Sequence, residues 1–440
     1  MRTIEKKYLL PFILVTSLFA LWGLANNMTD TLLAAFRKIM QMNDTQTSLI
    51  QMAFYGAYFC LALPAALFIR KYNFKGGIIL GLCLYAAGAM MFLPAAEVES
   101  YAFYLLAIYI MAAGCSVLET TANPYIMSMG SPETATRRLN IAQSFNPIGS
   151  IMGILISKYF ILQDISLYSV SGTYAAVGGV LIAIMAIMFF ARMPEGSDSS
   201  KIQEVQGGQE FKSSETILNS QLELAPSILN SQLEPAPSIL NFQFSILNSL
   251  RRLLSNRIYT GGIIAQFFYV GAQIGVWSFT IRLVMKELEM TEAEAATLYL
   301  ISIVGFCSSR FIYTWLMKYI APQRLLATGA VLSTICALLV VLTGGWLCVI
   351  SLIFVSVFMS LMFPTIYGIA LESVSKSKYP DDTKIGASGL IMAILGGALL
   401  TPLQGMVSDA SNINISYLVP MICFLAVLLF ALSTRQTPKP

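Results

Sequence analysis

The 440-residue chain contains no histidine, which excludes histidine-ligated metal centres, Ser-His-Asp hydrolases and any histidine proton relay. Charge is also scarce: 11% of residues are Asp, Glu, Lys or Arg, where a soluble domain carries about 25%. The formal net charge of +4 is too small and too dispersed to suggest a nucleic-acid partner. The seven cysteines lie inside apolar runs without paired spacing, as reduced core packing does, and form neither a disulfide framework nor a zinc site. What is abundant is apolar: 56% of residues are hydrophobic and the mean hydropathy is +0.70, so the chain is built for lipid. Met1 to Lys7 is basic and leads into an apolar run with no small-residue cleavage site before Asn26. That predicts a retained first span and not a removed signal peptide.

A bilayer core needs about 20 predominantly apolar residues per helix. Such runs fall near 9–36, 46–69, 76–95, 101–127, 136–159 and 170–192, and again near 257–284, 291–317, 323–342, 345–372, 385–407 and 415–433. The expected fold is an all-α integral membrane protein of twelve helices. It divides into a six-helix bundle at 1–192, a linker at 193–255 and a second six-helix bundle at 256–440. An even number of spans puts both termini on one side, and Lys and Arg choose the side. Of 27 basic residues, 21 fall on the side of the termini, five on the other (Arg37, Lys38, Lys158, Arg282, Lys286), and Arg310 is left within a span. Both termini are therefore expected in the cytoplasm, with the protein in a bacterial inner membrane.

The linker turns polar and carries a near-repeat of eleven residues: ILNSQLELAPS from Ile217, ILNSQLEPAPS from Ile228, then ILNFQFS from Ile239. Pro226, Pro235 and Pro237 argue against a continuous helix, so the repeat reads as low-complexity linker without chemistry. The halves echo each other. Prolines interrupt the fourth and fifth spans (Pro124, Pro147) and the tenth and eleventh (Pro364, Pro402), and the following loops, SPETATRR from Ser131 and YPDDTK from Tyr379, each open on acid and end on base. Two parallel six-helix repeats with breaks at equivalent places are what the major facilitator architecture requires.

Lipid offers no hydrogen bonds, so a mid-span carboxylate costs about 2.5–3.5 kcal/mol and marks function by default. Two qualify: Asp30 in the first span and Glu119 in the fourth. Burial disfavours the charged form, so either could exchange a proton near neutral pH. Asn26 and Asn27 precede Asp30 by four and three residues, and Asn123 follows Glu119 by four, so each acid shares a helix face with carboxamides. The fifth span adds Gln143, Asn146 and Ser150, and the seventh a stripe of Gln266, Tyr269, Gln273 and Trp277. Carboxamides pair donors and acceptors with vicinal hydroxyls, and Tyr and Trp offer flat faces to the C–H side of a sugar ring. A neutral polyol fits such a lining. An anionic substrate would need a fixed cation, but Arg310 lies only eight residues before Lys318, roughly 12 Å from the basic end, and belongs to a gate.

At these residues the chain resembles the fucose/galactose/glucose branch of the major facilitator superfamily. The likeness runs through LFALWGLANNMTD (18–30), SLIQMAFYGAYF (48–59), CSVLETTANPY (115–125) and RLNIAQSFNPIGS (138–150), then AQFFYVGAQIGVWSF (265–279), FMSLMFPTIYGIAL (358–371) and GGALLTPLQGMVSD (396–409). The resemblance implies proton-coupled sugar symport by alternating access. It makes Asp30 the acid that engages sugar and couples to the proton, and Glu119 the protonatable carrier. Gln143 and Asn146 line the same cavity, with Tyr367 in the matching second-half segment. The turn FIRKYNFKGG (68–77) departs from the superfamily's Gly-Asp-Arg gating loop by lacking the acid. The implied partners are a small sugar, a proton and the bilayer. No cofactor, metal or nucleic acid is expected. With no GxxxG-type face away from the broken helices, the chain is expected to act as a monomer. A membrane enzyme would need an acid cluster or a catalytic base, and a receptor would carry a folded loop domain; the chain has neither. The alternative within transporters is an antiporter of the same fold for another small polar metabolite. Which sugar is carried stays open.

Overall fold

The computed structural model describes residues 4, 6–39, 44–161, 166–194 and 239–434. Among them secondary structure is entirely helical. In chain order the first half comprises α1 (Leu9–Ile39), α2 (Asp44–Lys71), α3 (Phe74–Met90), α4 (Phe92–Val98), α5 (Tyr101–Ser128), α6 (Ala135–Gln143), α7 (Asn146–Ile156) and α8 (Leu167–Phe190). Then come α9 (Ile239–Ser255), α10 (Arg257–Leu288), α11 (Glu292–Leu316), α12 (Pro322–Leu342), α13 (Gly345–Met359), α14 (Met362–Ser375), α15 (Thr383–Met392), α16 (Leu395–Ala410) and α17 (Leu418–Ser433). Eleven helical segments of the described residues are long and apolar enough to cross a membrane, and the remaining expected span falls on α1, whose apolar stretch is Leu9–Ala25.

The breaks differ from those expected at the prolines. The fourth span runs unbroken through Pro124 as α5. The fifth breaks at Ser144–Phe145, just ahead of Pro147 at the start of α7, and the tenth breaks at Ser360–Leu361, ahead of Pro364. The eleventh breaks at Ala393–Ile394, eight residues before Pro402, which sits inside α16. Proline lacks a donor but suits a helix's first turn, so in the fifth and tenth spans the break settles just upstream of Pro147 and Pro364 and not at the ring itself. The loops that echo in sequence also echo in form: Pro132–Thr134 and Pro380–Asp382 are both single 3-10 turns leading into the next helix. The linker is not structureless throughout. Its third repeat copy, which lacks the prolines of the first two, begins α9 at Ile239; the two earlier copies lie outside the described residues.

Glycines set the closest approaches, and equivalent ones do so in each half. A Cβ on Gly149 would stand 1.7 Å from the Ala20 carbonyl oxygen, pressing α7 on α1, and one on Gly396 would stand 1.9 Å from the Phe267 carbonyl oxygen, pressing α16 on α10. Among the described residues the halves meet through the related pairs α2 against α15 and α16 and α11 against α6 and α7, and also through α14 against α6 and α15 against α5. Buried Arg138 orders the turn before α6 by donating to the carbonyls of Ile126, Met127, Gly130 and Ser131 and to the Thr134 hydroxyl. A cation on the last carbonyls of α5 satisfies groups a helix end leaves open.

Candidate functional site

The expected site residues divide into those that face a shared interior and those the packing uses elsewhere. Glu119, buried midway along α5, makes no ion pair among the described residues. Two tyrosines flank it within electrostatic range: Tyr58 from α2, whose hydroxyl accepts from the Trp22 indole at 3.1 Å, and Tyr367 from α14 in the other half. One turn on from Glu119, Asn123 accepts from the Gln143 side chain at 3.0 Å and lies beside Tyr367. The Gln143 carbonyl accepts from Arg310 at 2.9 Å; Arg310 also donates to the Ser360 carbonyl at 2.7 Å, covers the Phe306 ring and lies beside Tyr269. A path thus runs from Glu119, within electrostatic range of Tyr367, through Asn123, Gln143 and Arg310 to Tyr269, crossing between halves three times.

Along this path and one turn away on α10, polar atoms are buried with no hydrogen-bond partner among the described residues: Asn123 Nδ2, both side-chain polar atoms of Gln266, and the hydroxyls of Tyr269 and Tyr367. Burying such groups costs about 1–3 kcal/mol each unless something pairs with them. Their concentration on facing helices of the two halves marks a place prepared for a ligand rich in hydroxyls.

Other expected residues sit differently. Asn27 donates to the Gly23 carbonyl of its own helix at 3.1 Å, and Asn146 donates to the Phe19 carbonyl at 3.3 Å, in the tight seam between α1 and α7. Ser150 lies in that seam as well, its hydroxyl on the Asn146 carbonyl. Trp277 donates to Ser356 at 3.3 Å and packs edge-on against Phe306, while Gln273 is half-buried. Asn26 and Asp30 fall on α1, but their side chains lie outside the described residues. Sequence reasoning did not single out Tyr58, Trp22 or Ser360. Tyr58 and Trp22 stand within the matched segments 48–59 and 18–30, yet nothing in their spacing points at Glu119. The described residues hold no group of His, Cys, Asp or Glu suited to a metal, and all seven cysteines are free.

Four hydrogen bonds join the halves along one face of α6 and its following residue: Thr136 to Glu372 at 3.1 Å, Thr365 to Asn140 at 3.4 Å, Arg310 to Gln143, and Ser144 with Thr314 at 3.4 Å. Lys384 adds a cation over the Phe74 ring. These contacts lie from mid-membrane toward the end that carries the basic loops, so the molecule is closed there.

A model of the Major Facilitator Superfamily matches residues 13–381. The L-fucose-proton symporter of Haemophilus influenzae is 40% identical, covering 98% of this chain and 97% of that protein, and the Escherichia coli protein of the same name is 33% identical over 98% and 95%. A glucose/galactose transporter of Brucella abortus is 29% identical over 97% and 95%. A crystal structure of the superfamily transporter FucP in the outward conformation superposes with a TM-score of 0.80 at 32% identity, covering 99% of this chain and all of that one.

Proposed function

Because the chain belongs to the Major Facilitator Superfamily, we propose that it imports a neutral monosaccharide, L-fucose or a related hexose such as galactose or glucose, together with a proton. The observation that carries this reading is the set of buried polar atoms of Asn123, Gln266, Tyr269 and Tyr367 that have no hydrogen-bond partner among the described residues, beside the buried carboxyl of Glu119, which has no ion pair among them. The amides and phenols supply the donors and acceptors a sugar needs, and nothing anionic in the substrate is called for. Glu119 is the proton carrier. Neutral, it can be enclosed with the sugar; ionised, it demands water and keeps the cavity open. Asp30, by its place on α1, engages the sugar and takes part in coupling. Arg310 is the gate: bonded to Ser360 in its own half and to Gln143 in the other, it must release one of them before the basic end opens.

The transport cycle rocks the two halves about this midplane site. The basic end faces the cytoplasm, with both termini there, in a bacterial inner membrane, and one chain is the working unit. The test uses vesicles reconstituted with purified protein. Sugar addition should alkalinise the medium on the side of entry, the sign of symport; acidification would point to antiport. With one proton per sugar, each pH unit of gradient drives about tenfold accumulation. Glu119→Gln should abolish that accumulation while keeping sugar-for-sugar exchange. Concentrative, pH-driven uptake by this variant would remove Glu119 from the carrier role.

A further inference from the structure

Where α9 meets α10 at the basic end, a groove opens between Arg251, Ser255 and Asn256 on one wall and Ser377, Lys378 and Tyr379 on the other. Its floor is already neutral. Arg252 donates to both Asp382 oxygens at 2.8 Å and to Ser249 at 2.9 Å, and lies over the Tyr379 ring at 4.4 Å. The surplus charge is on the rim. Arg251 is exposed and has no ion pair among the described residues; Lys378, 5.9 Å from the Tyr379 ring centroid, has none there either.

The outer face of α9 extends this rim as an apolar stripe. Leu247 and Leu254, each 63% exposed, fall at i and i+7, with Arg251 at i+4 between them, and Ile258, 39% exposed, follows in the first turn of α10. Large apolar side chains flanking a cation suit the boundary between headgroups and acyl chains, not open water. The position agrees, because only Asn256 separates α9 from the membrane-crossing α10, which it caps through the Ile258 and Tyr259 amides. A helix so placed lies at the bilayer surface.

We infer that α9 is an interfacial anchor and that the groove beside it binds the phosphate of an anionic phospholipid, held by Arg251 and Lys378 while the leucine stripe enters the acyl boundary. Soluble phosphate esters share the headgroup's chemistry, so the test separates the two sources. Full-length protein in detergent is titrated with short-chain phosphatidylglycerol, short-chain phosphatidylcholine or glycerol phosphate, and bound ligand is read by native mass spectrometry. Phosphatidylglycerol should bind most tightly. Arg251→Gln combined with Lys378→Gln should weaken it about thirtyfold at low salt and leave phosphatidylcholine unchanged. Leu247→Ser with Leu254→Ser should weaken both lipids. Undiminished phosphatidylglycerol binding in the charge variant overturns the site. Glycerol phosphate binding as tightly as the lipid, and lost in the same variant, overturns the lipid assignment in favour of a soluble anion. All four substituted side chains are exposed, and an unchanged melting temperature in detergent verifies that the variants fold.

Discussion

A buried amide with no partner is a cost the folded protein carries until a ligand arrives, and Gln266 shows it most plainly, with both polar atoms unpaired among the described residues at zero exposure. An amide that merely bridges helices would behave in the opposite way on removal. Gln266→Leu should therefore raise the melting temperature of the sugar-free protein, by about 1 kcal/mol of stability, and weaken sugar binding about tenfold. Thermal unfolding with and without sugar reads both at once, and a fall in sugar-free stability would make Gln266 a structural bridge. The contrast with Asn27 and Asn146 shows what spacing can and cannot tell. Steps of three and four residues put polar groups on one helix face, but a face can turn to a cavity or to a neighbour's backbone. Asn146 turns to the Phe19 carbonyl because Gly149 lets α7 press on α1 there. That seam depends on two backbones fitting together, which no single helix's pattern contains.

The helices themselves were far more legible, because crossing a bilayer imposes a length and a hydropathy that one stretch of sequence must satisfy alone. The expected spans recur within a few residues, whereas the breaks moved off Pro124 and Pro402, since neighbouring helices decide where a freed carbonyl can be tolerated. Nor did hydropathy reveal how a chain without the acid in its 68–77 turn closes its basic end. The contacts along α6 answer that. Thr136, Asn140, Gln143 and Ser144 recur at helical spacing, and each meets the opposite half. A hydrogen bond contributes about 1 kcal/mol net, so removing two of the four should shift the closed–open balance about thirtyfold toward opening at the basic end. Thr136→Val with Thr365→Val is the variant to make. Spin labels replacing the exposed Tyr72 and Tyr379, after the exposed Cys60 and Cys83 are removed, should report a longer distance between halves. An unchanged distance distribution would mean that α6 does not hold the gate.

Across the whole molecule the same design occurs twice. Gly149 seats the fifth span on the first as Gly396 seats the eleventh on the seventh, and the halves join through α2 with α15 and α11 with α6, the symmetric counterparts of one another. The sequence hinted at this pseudo-symmetry through its echoed loops, but not at which helices would meet, because the interface pairs elements from different repeats. The buried apolar residues of both halves join in one cluster, and each half contributes its own share of the site, Glu119 and Asn123 from one, Gln266, Tyr269 and Tyr367 from the other. Assembly then depends on interface complementarity and on confinement to one membrane, and the linker adds only effective concentration. Residues 1–216 and 239–440, co-expressed as separate polypeptides without the first two repeat copies, should therefore pair in the membrane and retain proton-driven sugar uptake within about tenfold of the intact chain. The second piece keeps α9, whose Arg252 holds Asp382 at the start of the eleventh span. If both pieces accumulate in the membrane yet neither pair nor transport, the connection does more than tether, and the two bundles cannot be treated as independent rocking bodies.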